Sequence, residues 1–176
     1  MRIIGGTLKG KSILPPNGFM ARPTTDFAKE GLFNMLINEF DLSECRILDL
    51  FSGTGSISYE FASRGCTEIY SVEMNPLHSS FIKKSAAKLG IKGMQVVRHN
   101  VFDFIEICKI DFDLIFADPP YDIDSLDTIP DKIFSKGLLR EGGRLILEHP
   151  GSYNFESHPR FKKEKKYGNV HFTFFE

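Results

Sequence analysis

Short apolar segments that alternate with amphipathic ones constrain the fold of this chain more than any other feature. From residue 46 onward, apolar runs are separated by stretches with helical spacing and by turns. The pattern predicts strands at 46–50, 68–73, 94–98, 112–117 and 143–149, and helices near 56–64, 77–89 and 124–136. Two strand-like stretches around Gly168-Asn169 predict a closing antiparallel hairpin within 161–175. We therefore predict an α/β fold with a mostly parallel sheet.

The N-terminal part of the chain precedes this alternation. Two short apolar stretches around a glycine-rich centre predict a small β-hairpin that turns near residue 9. An amphipathic helix follows, with Thr25 or Asp26 as its N-cap. We expect a hairpin and basic arm over 1–25 and a main domain over 26–176.

The apolar run 112–117 stops at Asp118-Pro119-Pro120-Tyr121. Proline fixes φ and lacks an N–H group, so the strand ends there with a rigid tip. The Asp118 carboxylate and a backbone carbonyl beside it can accept both hydrogens of an exocyclic amino group on a flat base. Tyr121 can stack on that base, a contact worth about 1–3 kcal/mol. Taken alone, the motif is equally consistent with a Pro-Pro loop exit beside a core tyrosine.

A second motif predicts a cofactor site. The strand 46–50 contains Asp49 and continues through Phe51 into a turn with Gly53 and Gly55, before a helix. Open α/β sheets bind ligands at this edge, but the third glycine of the dinucleotide fingerprint is missing. Asp49 would repel a pyrophosphate and attract the ammonium and sulfonium of S-adenosylmethionine. The sequence therefore favours S-adenosylmethionine.

The next two strand ends carry further candidate cofactor ligands. Glu73 ends the second strand, where a carboxylate can accept hydrogen bonds from both ribose hydroxyls, each worth about 1.5–3 kcal/mol. Met74 can pack on one face of an adenine ring. After the third strand, Asn100 can bind the adenine edge and Val101 can cover the other face. A strand-end asparagine is also typical of a turn cap.

Together, these motifs resemble those of the amino-group methyltransferases of nucleic acids, which have a seven-stranded Rossmann-like fold. The N-terminal part is more specific, because four segments resemble the RsmD family of bacterial 16S rRNA guanine-N2 methyltransferases. These segments are Arg2-Ile3-Ile4-Gly5-Gly6, Lys9-Gly10-Lys11, Arg22-Pro23-Thr24-Thr25 and the helix from Lys29 to Leu36. The resemblance covers nearly the whole chain. Two residues depart from it: Lys29 stands where arginine is expected, and Ser52 where alanine is usual.

The resemblance implies a class I methyltransferase that uses S-adenosylmethionine. It implies methyl transfer to a single guanine in a hairpin loop of 16S rRNA, in assembled or assembling small ribosomal subunits. Asp118 and Pro119 would orient the amine and Tyr121 would clamp the base. The candidate RNA-binding residues are Arg2, Lys9, Lys11, Arg22 and Thr24.

Three alternatives stay open. The Asp-Pro-Pro-Tyr motif does not distinguish guanine from adenine, so an adenine-amino methyltransferase on another RNA or DNA is the first. The second is a catalytically silent cofactor-binding protein of ribosome assembly. A small-molecule methyltransferase is the third, although no lid or substrate domain is visible and the basic arm would have no role.

Composition excludes several other classes. Net charge is −1, hydrophobic residues make up 41% of the 176 residues, and no apolar run approaches the length of a membrane span. An odd number of cysteines without CxxC spacing argues against disulfides and zinc, and the histidines show no metal-ligand spacing. Arg2 is followed closely by two glycines rather than by an apolar signal segment. We expect a cytoplasmic protein with no metal and no membrane association.

Overall fold

The computed structural model describes residues 1–16, 19 and 24–176, and these contain seven strands and five α-helices. The helices are α1 (Asp26–Glu39), α2 (Ser56–Ser63), α3 (Pro76–Lys88), α4 (Val101–Ile107) and α5 (Ile129–Ser135), with a 3₁₀ turn at Leu126–Thr128. The strands are β1 (Arg46–Leu50), β2 (Glu68–Val72), β3 (Met94–Val97), β4 (Phe112–Ala117), β5 (Leu139–His149), β6 (Phe161–Tyr167) and β7 (Val170–Phe175).

The seven strands form one sheet in the order β3-β2-β1-β4-β5-β7-β6. Strands β1 to β5 run parallel, whereas β7 pairs antiparallel with both β5 and β6. The order reverses direction between β1 and β4, which places a ligand-binding crevice at the carboxyl ends of these central strands. The predicted α/β fold, with its mostly parallel seven-stranded sheet and antiparallel C-terminal hairpin, is confirmed.

Two apolar cores cover the two faces of the sheet. On one face, α1 and α2 pack on Ile47, Phe116 and Ile146. On the other face, α4 and α5 pack on Leu48 and Ile115. Because successive side chains of a strand point to opposite faces, each of these central strands belongs to both cores, which explains the continuous apolar runs of the sequence.

The helix α4 was absent from the sequence prediction. Asn100 is its N-cap, and its side-chain oxygen accepts hydrogen bonds from the backbone N–H groups of Phe102 and Asp103. A helix of seven residues has little propensity signal of its own, so its stability comes from burial of Val101 and Phe104 in the core. The other predicted elements occur, with β5 starting at Leu139 rather than at residue 143.

The N-terminal arm, residues 1–13, forms a hairpin reduced to one isolated bridge between Arg2 and Ser12. Backbone bonds still cross the hairpin, such as the one from the Ile3 N–H to the Lys11 carbonyl at 3.0 Å, and the end of α2 supplies further partners. The Thr7 N–H donates to the Ser63 carbonyl at 2.7 Å, and the Leu8 N–H donates to the Ser63 hydroxyl at 2.9 Å. Ile3 packs against the apolar side of α2 and α3. The arm is therefore docked on the sheet domain by specific contacts.

A buried ion pair lies beneath this arm. The Lys29 ammonium of α1 is 3.1 Å from a Glu60 oxygen of α2, and it donates to the Arg2 carbonyl at 2.7 Å. The same Glu60 oxygen accepts from the Ile4 N–H at 2.9 Å. This geometry explains why the sequence needs a cation at position 29, where the resemblance expects arginine.

Candidate functional site

A cavity of about 630 Å³ lies at the carboxyl edge of the sheet, where β1, β2, β4 and β5 end. Most of the residues predicted for the site line it: Thr24, Asp49, Phe51, Gly53, Glu73, Met74, Asn100, Val101, Asp118, Pro119 and Tyr121. Gly55, Arg2, Lys9 and Lys11 are not part of its wall. Arg22 lies outside the described residues.

The turn after β1 is held in an unusual backbone conformation. Phe51 has φ +59°, which non-glycine residues rarely adopt, and Gly53 follows with φ +55°. Gly55 has φ +82° and begins α2, and a Cβ there would lie 2.9 Å from the Tyr59 hydroxyl. Gly53 therefore brings the backbone to the cavity, whereas Gly55 allows the chain to enter the helix.

Asp49 lies at the base of the cavity and is almost completely buried. Its carboxylate accepts hydrogen bonds from the backbone N–H of Ser58, at 3.1 Å, and from the Ser58 hydroxyl. Burial raises the pKa of Asp49 to about 7, against the opposing effect of the Ser58 hydrogen bonds. A carboxylate in this setting gains most from a cationic ligand, because a nearby positive charge offsets the lost solvation.

Glu73 is fixed by the backbone on both sides. One carboxylate oxygen accepts from the Gly53 N–H at 2.8 Å, and the other from the Asn75 N–H at 2.7 Å. These bonds connect the end of β2 to the glycine turn after β1. The acid is thereby held at the cavity wall, where it can accept hydrogen bonds from hydroxyl groups of a ligand.

Met74 and Asn100 lie beside each other at the rim. The Asn100 amide nitrogen is 3.8 Å from the Met74 sulfur, and 63% of Met74 is exposed. The oxygen of Asn100 caps α4, as described above. Asn100 therefore has a structural role in addition to the ligand contact predicted for it.

Asp118 follows β4 directly and is half-buried, while Pro119 is buried and Pro120 is exposed. Burial raises the pKa of Asp118 well above its usual value, and the negative charges of Glu148 and Asp49 raise it further. The neighbouring Tyr121 ring is 41% exposed at the mouth of the cavity. A carboxylate and an aromatic face thus lie together at the tip of β4.

Glu148, near the end of β5, is a site residue that sequence reasoning missed. It is only 4% exposed and lines the same cavity as Asp118. The Thr24 hydroxyl donates to one of its oxygens at 2.9 Å, and the Tyr121 hydroxyl lies 3.4 Å from the other. A signal was available, since Glu148 is an acid at the end of a predicted strand, like Glu73.

The strand order divides the cavity into two ends. Residues after β1, β2 and β3 form one end, and these are the residues predicted for the cofactor. The other end is formed by residues from β5, from the β6–β7 turn and from the segment before α1, namely Glu148, Asn169, Val170, Thr24 and Thr25. Asp118 stands between them on the central strand β4. One cavity can therefore hold two molecules that meet at Asp118.

The basic residues predicted for RNA lie on the surface outside the cavity. Lys9 and Lys11 are exposed, and the Arg2 guanidinium is 3.2 Å from Asp26. In the basic segment at the other end of the chain, Lys162 pairs with Glu176 and Lys163 with Glu39, each at 2.8 Å. Charge in that second segment is therefore partly neutralised within the protein.

One group of possible metal ligands occurs among the described residues. Nitrogen and oxygen atoms of His149, Glu164 and His171 lie within 4.8 Å of one another. His171 Nδ1 and a Glu164 oxygen are hydrogen-bonded at 2.6 Å, and His149 Nε2 lies 2.7 Å from the Thr173 hydroxyl. The first bond joins β6 to β7 and the second joins β7 to β5, so both have a structural role, and we assign no metal to these residues.

Within the part of the chain that the structure describes, every helix is too short or too polar to span a bilayer.

Known proteins resemble this chain along its whole length. The family model described as Conserved hypothetical protein 95 matches residues 1–176. A protein of Buchnera aphidicola named ribosomal RNA small subunit methyltransferase D is 29% identical over 99% of this chain and 91% of its own length. A solved structure of a hypothetical protein from Thermus thermophilus is 30% identical, with a TM-score of 0.88 over 100% of this chain and 99% of the other.

A more distant structure shares the fold. It is the 16S rRNA N2 methyltransferase RsmC of Thermus thermophilus, in complex with AdoMet and guanosine. Its TM-score is 0.72 at 19% identity, over 90% of this chain and 44% of that one. At this identity the likeness extends to the fold and no further.

Proposed function

This chain belongs to the Conserved hypothetical protein 95 family, and on that premise we propose that it methylates the 2-amino group of a guanine in 16S rRNA. The methyl donor is S-adenosylmethionine, and the substrate is a loop of the small ribosomal subunit. The name of the Buchnera relative agrees with the RsmD resemblance found in the sequence. The observation that carries the proposal is that Asp118 lines the same cavity as the buried Asp49 and the aromatic ring of Tyr121.

The residues at the β1–β3 end fit S-adenosylmethionine. Asp49 offers a buried negative charge to its cationic groups, and Glu73 offers a fixed carboxylate to its ribose hydroxyls. Met74 and Val101 supply apolar surface for an adenine ring. When bound, this cofactor supplies a methyl group from its sulfonium, and the remainder of the cofactor leaves as a neutral thioether.

The residues at the β4 tip orient the acceptor. The lone pair of the guanine 2-amino group is delocalised into the ring, so this nitrogen is a poor nucleophile. Asp118 and the Pro119 carbonyl hold its two hydrogens, which favours a tetrahedral nitrogen and directs the lone pair toward the cofactor end. Orientation of this kind can supply much of a rate enhancement. In its ionised form Asp118 also stabilises the positive charge that develops on the nitrogen, and it accepts the proton that the methylated nitrogen then loses.

Access to the target base favours a loop in RNA. A base in a duplex must be unpaired before it can enter a cavity, at a cost of a few kcal/mol, whereas a loop base is extruded more easily. Lys9 and Lys11 on the exposed arm, and Arg2, supply positive charge for the phosphates around the loop. A substrate in ribosomal subunits also implies that the protein acts in the cytoplasm.

The test is transfer of labelled methyl from S-adenosylmethionine to small subunits lacking the modification, naked 16S rRNA and duplex DNA. Label recovered from subunits as N2-methylguanosine is the expected result. Methyladenine, or label on DNA alone, would contradict the guanine assignment. Absence of transfer together with normal cofactor binding would indicate a protein that only binds the cofactor.

The matched variants are Asp118→Asn and Asp122→Asn. Asp122 is an exposed acid that directly follows Tyr121 and lies outside the cavity wall. D118N should lower kcat by about 10²–10⁴-fold and leave cofactor affinity within a factor of about three. D122N should match the wild type. Equal loss of transfer and of cofactor binding in D118N would show that Asp118 is structural.

A further inference from the structure

Glu148 lies beside the residue that holds the amine. Ala117 of β4 is paired with Leu147 of β5. The residues that follow them, Asp118 and Glu148, are therefore neighbours at the same edge of the sheet. Paired parallel strands are about 4.8 Å apart, and side chains in register point to the same face. Both residues line the cavity, and the charge of Glu148 contributes to the raised pKa of Asp118. Two carboxylates therefore face the acceptor end side by side.

The contacts of Glu148 hold its carboxylate in one orientation. Thr24 donates to one oxygen at 2.9 Å, while the Tyr121 hydroxyl is 3.4 Å from the other. A carboxylate has about four acceptor positions, so contacts within the protein are compatible with a hydrogen bond from a base. Glu148 is only 4% exposed, so a ligand atom that faces it without donating a hydrogen bond is strongly disfavoured. The site can therefore discriminate between bases by their donors and acceptors.

The nucleobases differ in what stands next to the amino group. In guanine, the ring atom N1 beside the 2-amino group carries a hydrogen. In adenine and cytosine, the corresponding ring nitrogens N1 and N3 carry a lone pair. A second carboxylate next to the one that holds the amine is complementary to guanine and repels the other two bases.

We propose that Glu148 accepts the N1–H hydrogen bond of the target guanine and thereby sets the base specificity of the enzyme. This inference rests on the proposed function. Asp118 binds an amino group of any base, and a residue of β5 would distinguish guanine from the other bases. A site built to hydrogen-bond a substrate group rejects analogues that lack it, by factors as large as about 10⁴–10⁵.

The experiment replaces the target guanine by 2,6-diaminopurine in reconstituted small subunits. This base keeps the 2-amino group, but its N1 is an acceptor instead of a donor. A third substrate with 2-aminopurine also lacks the N1 hydrogen and carries no C6 substituent, which separates the effect of N1 from that of C6. The quantity measured is kcat/KM for each base with the wild type, Glu148→Gln and Glu141→Gln. Glu141 is an exposed acid on the same strand.

The wild type and E141Q should prefer guanine over both analogues by at least about 100-fold. In E148Q the amide can donate to the N1 lone pair, so the preference should fall by about tenfold or more for both analogues. An unchanged preference in E148Q would overturn the inference, and an equal loss of kcat/KM with all three bases would indicate that Glu148 only supports Thr24 and Tyr121. Failure of the proposed function is distinct, because the wild type would then not methylate the guanine substrate.

Discussion

The Lys29 ammonium and the Glu60 carboxylate form an ion pair of 3.1 Å with side chains that are 2% and 0% exposed. The pair joins α1 to α2 directly under the N-terminal arm, because Glu60 also accepts from the Ile4 N–H. Removing one partner of a buried pair leaves an uncompensated charge, which costs about 3–5 kcal/mol. Arg64 also contacts Glu60 and compensates part of this charge.

Lys29→Met should therefore lower the free energy of unfolding by about 3 kcal/mol, the lower end of the range for a broken buried pair. Urea denaturation measures this change. Lys84→Met, at an exposed position of α3, is the control and should stay within about 0.5 kcal/mol of the wild type. A loss below about 1 kcal/mol in K29M would mean that Arg64 alone neutralises Glu60.

A comparison of two glycines tests how the arm is docked. Gly6 and Gly10 both have positive φ, +72° and +85°, so alanine is strained at either position by about 1–2 kcal/mol. A Cβ on Gly6 would lie 1.9 Å from the Ser63 carbonyl oxygen, whereas a Cβ on Gly10 meets nothing within 4 Å. Gly6→Ala should cost about 2–5 kcal/mol in urea denaturation, and Gly10→Ala only the strain. Equal losses would show that the arm moves away from α2 without cost.

The sequence predicts the sheet because buried parallel strands read as continuous apolar runs with turns at their ends. It fails at α4, where seven residues give too little periodicity to predict a helix, and the sequence predicts Asn100 as an adenine ligand or a turn cap. The structure shows that the same asparagine caps the helix. The capping role of Asn100 depends on a helix that its local sequence does not predict.

Glu148 shows a different limit. Its type and its place in a predicted strand were visible, but its position beside Asp118 depends on the order and register of β4 and β5. Those properties arise from long-range packing, and no local pattern encodes them. Thr24, in contrast, was predicted for RNA from resemblance alone, and the structure places it against Glu148 in the cavity.

The raised pKa of Asp49 predicts a pH-dependent stability. Burial raises this pKa from 3.8 in the unfolded chain to about 7 in the native state. The native state then binds more protons than the unfolded state between about pH 4 and pH 7, so the contribution of Asp49 to stability falls as pH rises through this window. Asp49→Asn should remove that component of the slope in cofactor-free protein, measured by urea denaturation at several pH values. D122N is the control, and parallel profiles for wild type and D49N would contradict the prediction.

The exposed lysines of the arm predict a change in salt dependence. Each phosphate contact on single-stranded RNA contributes about 0.7 to the slope of log K against log salt. If Lys9 and Lys11 each hold one phosphate, Lys9→Ala with Lys11→Ala should reduce that slope by about 1.4 and leave cofactor affinity unchanged. Filter binding to 16S rRNA at salt concentrations from about 50 to about 200 mM measures the slope. Replacing the exposed Lys84 and Lys88 of α3 by alanine is the matched control. An equal reduction of the slope in both double variants would indicate that RNA binding depends on the net charge of the protein and not on the arm.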